Sequence, residues 1–340
     1  MVATSPKIGL SFADLDRLLT ELDVAIIGLA ECFLSPNWAL SSSNIQNTAI
    51  YYNVSGVGRL CVCGAPTIKL VPHMLVIIPR ASKIRIEEES FCGTSNEINV
   101  GHIGNSGNTT TKYVIGTGES ALAGISGEFR ASFGGSMDLF KSLSSPIIEC
   151  FDANSGVHEN LKLAVSEFNV REVGMHALAA ALLKRVLVTI FRRSMHSAEL
   201  WAERFPILGD PQISRAFASM VAEPRAAHSI HSLSHIAGLS RSAFMARFTN
   251  VFGISPVAAL RRLRMREAES LLVADTLAID EIANMVGYAN RTSFSRAFRA
   301  IYGTDPTNFR AGDYKQSDAN SFAEEELVDD AEISWSEGQL

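Results

Sequence analysis

Cysteine is scarce: five in 340 residues, an odd count that makes no disulfide framework. No secretory signal is expected, because Met1–Leu10 carries Pro6 and Lys7 and lacks an apolar core of about 7–15 residues. No stretch is long and apolar enough for a membrane span. The most apolar helical pattern, Met175–Phe191, is interrupted by Lys184 and Arg185 and falls short of the ~20 apolar residues required. Glycine (24) and proline (11) are ordinary, which excludes collagen-like and low-complexity chains. With 47% apolar and 19% charged residues, a wholly disordered chain is excluded as well. The expectation is a soluble, reduced, cytoplasmic protein of two or three domains, with no membrane partner.

Lysine is absent from residues 210–312, where twelve arginines stand against eight acids, a net of +4. Residues 313–340 hold nine acids and one lysine, a net of −8, and read as an acidic disordered tail. The overall charge of −6 therefore hides a mildly basic segment, and it is the segment's charge that bears on nucleic-acid binding.

The pattern along the chain changes twice. Residues 11–22 place Phe12, Leu15, Leu18, Leu19 and Leu22 at helical spacing. From about 24 to 140, short apolar runs alternate with turn residues: 49–54, 59–64, 67–71, 74–79, 83–87, 111–116 and 125–131. Many short strands imply an all-β barrel or sandwich, with the Gly-rich stretch 92–110 as a mobile loop. Helical periodicity starts near Val157 and continues to 312. In its first part Leu183, Val186, Leu187, Ile190 and Phe191 form an apolar stripe. That stripe, together with Leu178, marks the 157–207 segment as a connector able to form a homodimer.

One motif occurs twice, fifty residues apart. SRSAFMARFTNVFGISP (240–256) matches NRTSFSRAFRAIYGTDP (290–306) position by position. Ser240 and Asn290 are N-cap residues; Gly253 and Gly303 suit helix ends; Pro256 and Pro306 suit the first turn of the next helix. Each copy follows a short helical pattern and a Gly-containing turn, at Gly238 and Gly287, so two helix-turn-helix units are expected over about 230–252 and 279–302. Such a unit lays the front of its second helix on base edges in the major groove.

A helical wheel at ~100° per residue sorts the faces. Phe244, Phe248, Val251 and Phe252 fall inward, as do Phe294, Phe298, Ile301 and Tyr302. Ser242, Ala246 and Thr249 fall outward with Met245 at the border. Thr292, Arg296 and Arg299 fall outward with Ser295 at the border. Between the copies, Pro256–Val273 reads as one helix, a strut that would set two reading helices ~34 Å apart, in successive major grooves. Arg241, Arg261, Arg262, Arg264, Arg266 and Arg299 are candidate phosphate contacts, which position a protein without reading sequence.

Residues 208–312 resemble the DNA-binding domain of the AraC/XylS family, through HIAGLSRSAFMARFTNVFGISP, the dipeptide Arg264–Met265 and IDEIANMVGYANRTSFSRAFRAIYGTDP. The resemblance implies base-reading positions at Ser242, Met245 and Ala246 and at Arg291, Thr292, Ser295 and Arg296. The wheel agrees except at Arg291, which it puts nearer the core. Ala246 stands where a long polar residue is frequent in the family. More weakly, NTAIYYNVSGVGRLCVCGAPTIKLVPHMLVIIPRAS resembles the cupin barrel fused to such regulators, and Leu161–Pro211 their helical connector. The implied whole is a multidomain α+β chain: a cupin-like sensor (1–156), a helical connector (157–207), an all-α DNA-binding domain (208–312) and the tail. It would be a transcription regulator, an activator, whose N-terminal domain binds a small effector. Its partners would be promoter DNA and RNA polymerase. The alternative is a cupin-type metalloenzyme with an accessory DNA-binding domain.

Other signals read as structural. A metal-binding cupin needs a close His pair with Glu and a later His, and only His73 and His102 are available. His231 and His235 are four apart on a short helix but lack further donors. Cys61 and Cys63, two apart on an expected strand, read as small buried hydrophobes rather than as a thiol sensor. Gly56–Gly58 and Gly116–Gly118 are lone turns without a dinucleotide fingerprint, and the stretch from Gly118 lacks the last glycine of a nucleophile elbow. No catalytic residue, cofactor or metal is expected.

Overall fold

A computed structural model describes residues 9–43, 45–89, 96–99, 112–170, 172–274 and 276–311. The expected tail, His102 and most of the 92–110 stretch lie outside the described residues. The chain falls into two compact units. Of the described residues, one gathers those within 23–132 and 138–209; the other gathers those up to Leu22, Phe133–Met137 and those from Asp210 to Ala311.

The first unit is rich in strands. Its larger sheet is built from β1 (Asp23–Leu34), β3 (Thr48–Ser55), β6 (Met74–Ile78), β9 (Lys112–Ile115), β10 (Leu122–Phe133), the two-residue β11 (Met137–Asp138) and β12 (Ile147–Cys150). The order is β12-β6-β3-β10-β1-β9, with β11 on β10. The smaller sheet is β5-β4-β7-β2-β8, from β2 (Trp38–Ser42), β4 (Gly58–Val62), β5 (Ile68–Leu70), β7 (Ile84–Glu88) and β8 (Asn96–Asn99). Period-two alternation builds the core between the sheets: Ala49 and Tyr51, Leu60 and Val62, Val76 and Ile78, Ile84 and Ile86 all point inward.

The two ladders do not join among the described residues, so the expected barrel takes the form of two facing sheets. Asn96–Asn99, expected within a loop, pairs parallel to β2. Cys61 is half-buried and Cys63 exposed, because Leu60 and Val62 take the inward positions on that strand. The expectation that these two thiols are buried is thereby overturned.

The same unit contains α2 (Val157–Val170), α3 (Met175–Ser194) and α4 (Ala198–Arg204), with α2 and α3 packed on each other and on β1. Leu183, Val186, Leu187, Ile190 and Phe191 are all buried there. The stripe expected to pair two chains is spent on intramolecular packing, and Leu178, 54% exposed, lies off it. Phe191 stacks on Phe205 with ring centroids 4.0 Å apart, and the indole of Trp201 donates to the Leu208 carbonyl at 2.9 Å.

The second unit is helical. Its first helix, α1 (Phe12–Thr20), starts from a Ser11–Asp14 capping box, buries Leu15 and Leu18, and packs on α5 (Pro211–Ala222). Thus residues 12–20 sit with the C-terminal helices and not with the strands that follow them in sequence. Asp210 caps α5, accepting from the backbone of Gln212 and Ile213. The remaining helices are α6 (Ile230–Ala237), α7 (Arg241–Phe252), α8 (Pro256–Val273), α9 (Ile279–Met285), α10 (Arg291–Tyr302) and α11 (Pro306–Arg310). Among the described residues no single helix is long and apolar enough to cross a membrane.

Candidate nucleic-acid interface

Two helix pairs, α6–α7 and α9–α10, are built alike. Gly238 (φ 67°) ends α6 and Gly287 (φ 83°) follows α9, both in the left-handed region that glycine adopts without a Cβ penalty. The Ser240 hydroxyl accepts from Ala243 N–H at 3.3 Å, and Asn290 Oδ1 accepts from Ser293 N–H at 2.8 Å, so the N-caps expected from sequence are made. Inward, Phe244, Phe248, Phe294 and Phe298 are each 0% exposed. Ring spacing repeats too: Phe244–Phe248 5.7 Å and Phe248–Phe252 4.5 Å, against Phe294–Phe298 5.8 Å and Phe298–Tyr302 4.5 Å. Over twelve positions, α7 and α10 share one pattern of burial.

The outward residues follow from that core. Ser242, Ala246 and Thr249 are exposed on α7 and Met245 is half-buried. On α10, Arg291, Thr292 and Arg296 are exposed and Ser295 is half-buried. The wheel's inward placement of Arg291 is wrong. It occupies the first helical position and is exposed, and its guanidinium lies 3.8 Å from the Asp280 carboxylate. Arg296 has no ion-pair partner among the described residues. Arg299 is exposed and pairs with Asp305.

The arginines of α8 divide into two kinds. Arg261 and Arg262 are half-buried, and Arg266 pairs with Glu269 at 2.7 Å. Arg264 is 6% exposed and cannot reach a phosphate. Its Nε donates to the Pro224 carbonyl at 2.8 Å, Nη2 to Ala226 at 3.0 Å and Nη1 to Gly287 at 3.3 Å. Its expected phosphate role is therefore corrected. The signal was present in the sequence: Leu260, Arg264, Ala268 and Leu272 share one face at i,i+4 spacing, and all four are buried.

Sequence reasoning also missed Arg247. Its Nη2 and Nε meet Asp210 Oδ2 at 2.6 and 3.0 Å and its Nη1 donates to Gln212 Oε1 at 2.8 Å. Arg247 thus ties α7 to the start of α5. No local pattern announces a contact with a residue 37 positions earlier.

In the strand-rich unit, His73 Nδ1 lies 2.8 Å from the Tyr52 hydroxyl, whose pKa burial pushes up to about 12. His231 and His235 are exposed on α6. Among the described residues no group of three or more His, Cys, Asp or Glu side chains is arranged to hold a metal ion. Cys32 is buried beside the Ser126 hydroxyl (2.8 Å), and burial lifts its pKa to about 11. A thiol with a raised pKa stays protonated, and hence unreactive, until the pH approaches that value. At pH 8, iodoacetamide should therefore label Cys63 and Cys150, both exposed, well before Cys32. Peptide mass spectrometry reads the order, and simultaneous labelling of all three would contradict the buried placement.

Residues 233–312 match the family model described as a helix-turn-helix domain. The chain is 31% identical over 134 residues to the RCS-specific HTH-type transcriptional activator RclR of Escherichia coli, covering 38% of this chain and 47% of that one. It is 36% identical over 100 residues to the HTH-type transcriptional regulator AlkR of Acinetobacter baylyi, covering 29% and 33%. The chain thus spans half or less of the length of these relatives. Among solved structures, a transcriptional regulator described under AraC-type DNA-binding domain-containing proteins, from Chromobacterium violaceum, aligns at 24% identity and a TM-score of 0.28. It covers 30% of this chain and 90% of that one.

Proposed function

We propose, for a chain whose residues 233–312 belong to the AraC-type helix-turn-helix family, that it is a sequence-specific DNA-binding transcription regulator. One observation carries this reading: α7 and α10 are capped alike, buried alike and exposed alike, each following a short helix and a glycine turn. A fold needs only the aromatic faces. The two polar faces left outward are what a pair of helix-turn-helix units would present to successive major grooves.

In this reading Ser242, Met245, Ala246 and Thr249 face bases from the first unit. Arg291, Thr292, Ser295 and Arg296 face them from the second. Arginine there suits bidentate contact to guanine. Arg241, Arg261, Arg262 and Arg299 hold phosphates, and a phosphate competes with Asp305 for Arg299. As an activator the protein would also touch RNA polymerase. A homodimer would use other residues than the buried stripe of α3. Leu163, Val170 and Leu178 are large apolar side chains left exposed on the α2–α3 pair.

The strand-rich unit, read as cupin-like, would bind the small effector. Ser42 shares the inward face of β2 with Leu40, and Asn53 that of β3 with Tyr51. Ser42 Oγ and Asn53 Oδ1 are buried without a hydrogen-bond partner among the described residues. Orphaned polar atoms facing an apolar core cost stability and are a reason to look for a polar ligand there.

The test is a binding titration of the full chain against duplexes selected from a random pool and against unselected DNA, with and without candidate metabolites. The reading expects specific sites to bind ~10³-fold or more tighter than random DNA. Equal binding to both pools would refute it.

A further inference from the structure

We propose that Arg264 is the positioning residue that fixes the two reading helices relative to each other and so sets the spacing of DNA half-sites the protein accepts. This rests on the regulator reading above. The guanidinium occupies a junction between three parts of the helical unit. It projects from the middle of α8, and its three carbonyl partners come from two separate turns. Pro224 and Ala226 belong to the turn that runs into Ser229, the N-cap of α6. Gly287 belongs to the turn that runs into Asn290, the N-cap of α10. One planar group therefore holds the backbone three residues ahead of the cap of α10, and three residues ahead of the cap of α6, the helix on which α7 packs.

The surroundings make this clamp stiff. Gly287 is pressed so close that a Cβ there would meet Arg264 Cζ at 3.0 Å and Nη2 at 3.1 Å. The 223–228 turn is closed on itself by Ala226 N–H to Glu223 O (3.0 Å), His228 N–H to Ala226 O (2.7 Å) and a contact between His228 Nε2 and Glu223 O (2.9 Å). It is clipped to α8 a second time, one turn along, by Arg225–Glu267 (2.5 Å). On the α10 side, the Tyr302 hydroxyl donates to Glu269 at 2.9 Å, again onto α8. Guanidinium is the group that fits. It offers donors in a rigid fork, keeps its charge, and reaches three divergent acceptors at once, which an ammonium on a flexible stem does not. Removing it takes one donor from each of the three carbonyls, of which Ala226 keeps the His228 N–H, and loosens both turns from α8.

A residue that only stabilised the fold would weaken binding equally at every half-site spacing. A positioning residue changes which spacing is preferred. The experiment uses the full chain and duplexes selected by the wild type from a random pool, then rebuilt with one to five base pairs inserted or removed between the two contacted boxes. Each base pair both rotates and translates the second box, so the wild type should lose about tenfold or more in affinity away from its native spacing.

For Arg264→Lys the expected result is a flattened profile. Affinity at the native spacing falls by about tenfold, affinity at neighbouring spacings falls less, and binding to a single isolated box is unchanged. Arg225→Ala, whose side chain is 44% exposed and removable without burying a vacancy, should flatten the profile in the same direction by a smaller amount. A wild-type profile in Arg264→Lys overturns the proposal, even with lowered stability. If that variant does not fold, a wild-type profile in Arg225→Ala overturns it. A wild type that selects no sequence at all would instead refute the regulator reading.

Discussion

Phe298→Ala is expected to destabilise the helical unit by about 3–5 kcal/mol, the usual cost of emptying a fully buried phenylalanine site. The ring is 0% exposed. It meets Phe294 at 5.8 Å and Tyr302 at 4.5 Å on its own helix and Phe309 at 5.3 Å on α11, so α10 and α11 lose a common contact. Around it, Met265, Ala268, Leu272, Ile282, Ala283 and Val286 form one buried cluster. A domain of ordinary stability, about 5–15 kcal/mol, loses a large share of it. Denaturant unfolding of the full chain measures the change, in the transition that belongs to the helical unit. Thr292→Ala, on the exposed face of the same helix, should shift that transition by no more than about 0.5 kcal/mol. A loss below about 1 kcal/mol for Phe298→Ala would mean that the aromatic face is not the core of the unit.

The second large effect falls on binding and leaves stability alone. Arg296 is exposed and lacks an ion-pair partner among the described residues, so its truncation should not move the unfolding transition. If it reads a base, Arg296→Ala costs about 1–3 kcal/mol on the selected site and relaxes discrimination at one base position. If it holds a phosphate, binding weakens to all sequences alike and the salt dependence drops by about one unit of slope. A uniform loss on specific and random duplexes would therefore remove Arg296 from the base-reading set while leaving the rest of the interface intact.

Much of the helical unit was legible because local chemistry and global packing agree there. Ser240 and Asn290 cap, Gly253 and Gly303 end, and the phenylalanines at i,i+4 spacing turn inward, each for a reason contained within a dozen residues. The misreadings share a different character. Arg264 sits in a run of arginines and resembles its neighbours, yet its spacing from Leu260 and Ala268 puts it on the buried face. Arg291 fails on the wheel because a first-turn residue hangs off the helix end, where angular position no longer decides burial. Arg247 is half-buried through Asp210, a tertiary partner that periodicity does not encode.

In the strand-rich unit, β1 was missed because it reads as a continuous apolar run without alternation. It lies between β9 and β10 and under α2 and α3, which buries residues on both of its faces. The apolar stripe of α3 was read correctly as a stripe, and its partner was misassigned. A single sequence shows that a face will be covered and does not say by what.

The geometry of bound DNA tests the account most directly. Hydroxyl-radical footprinting of the full chain on its selected site should show two protected segments on one face of the duplex. Their centres should be about 10–10.5 base pairs apart, one for each reading helix of a single chain. One protected segment per chain, or two on opposite faces of the duplex, would contradict the claim that α8 holds α7 and α10 in register with successive major grooves.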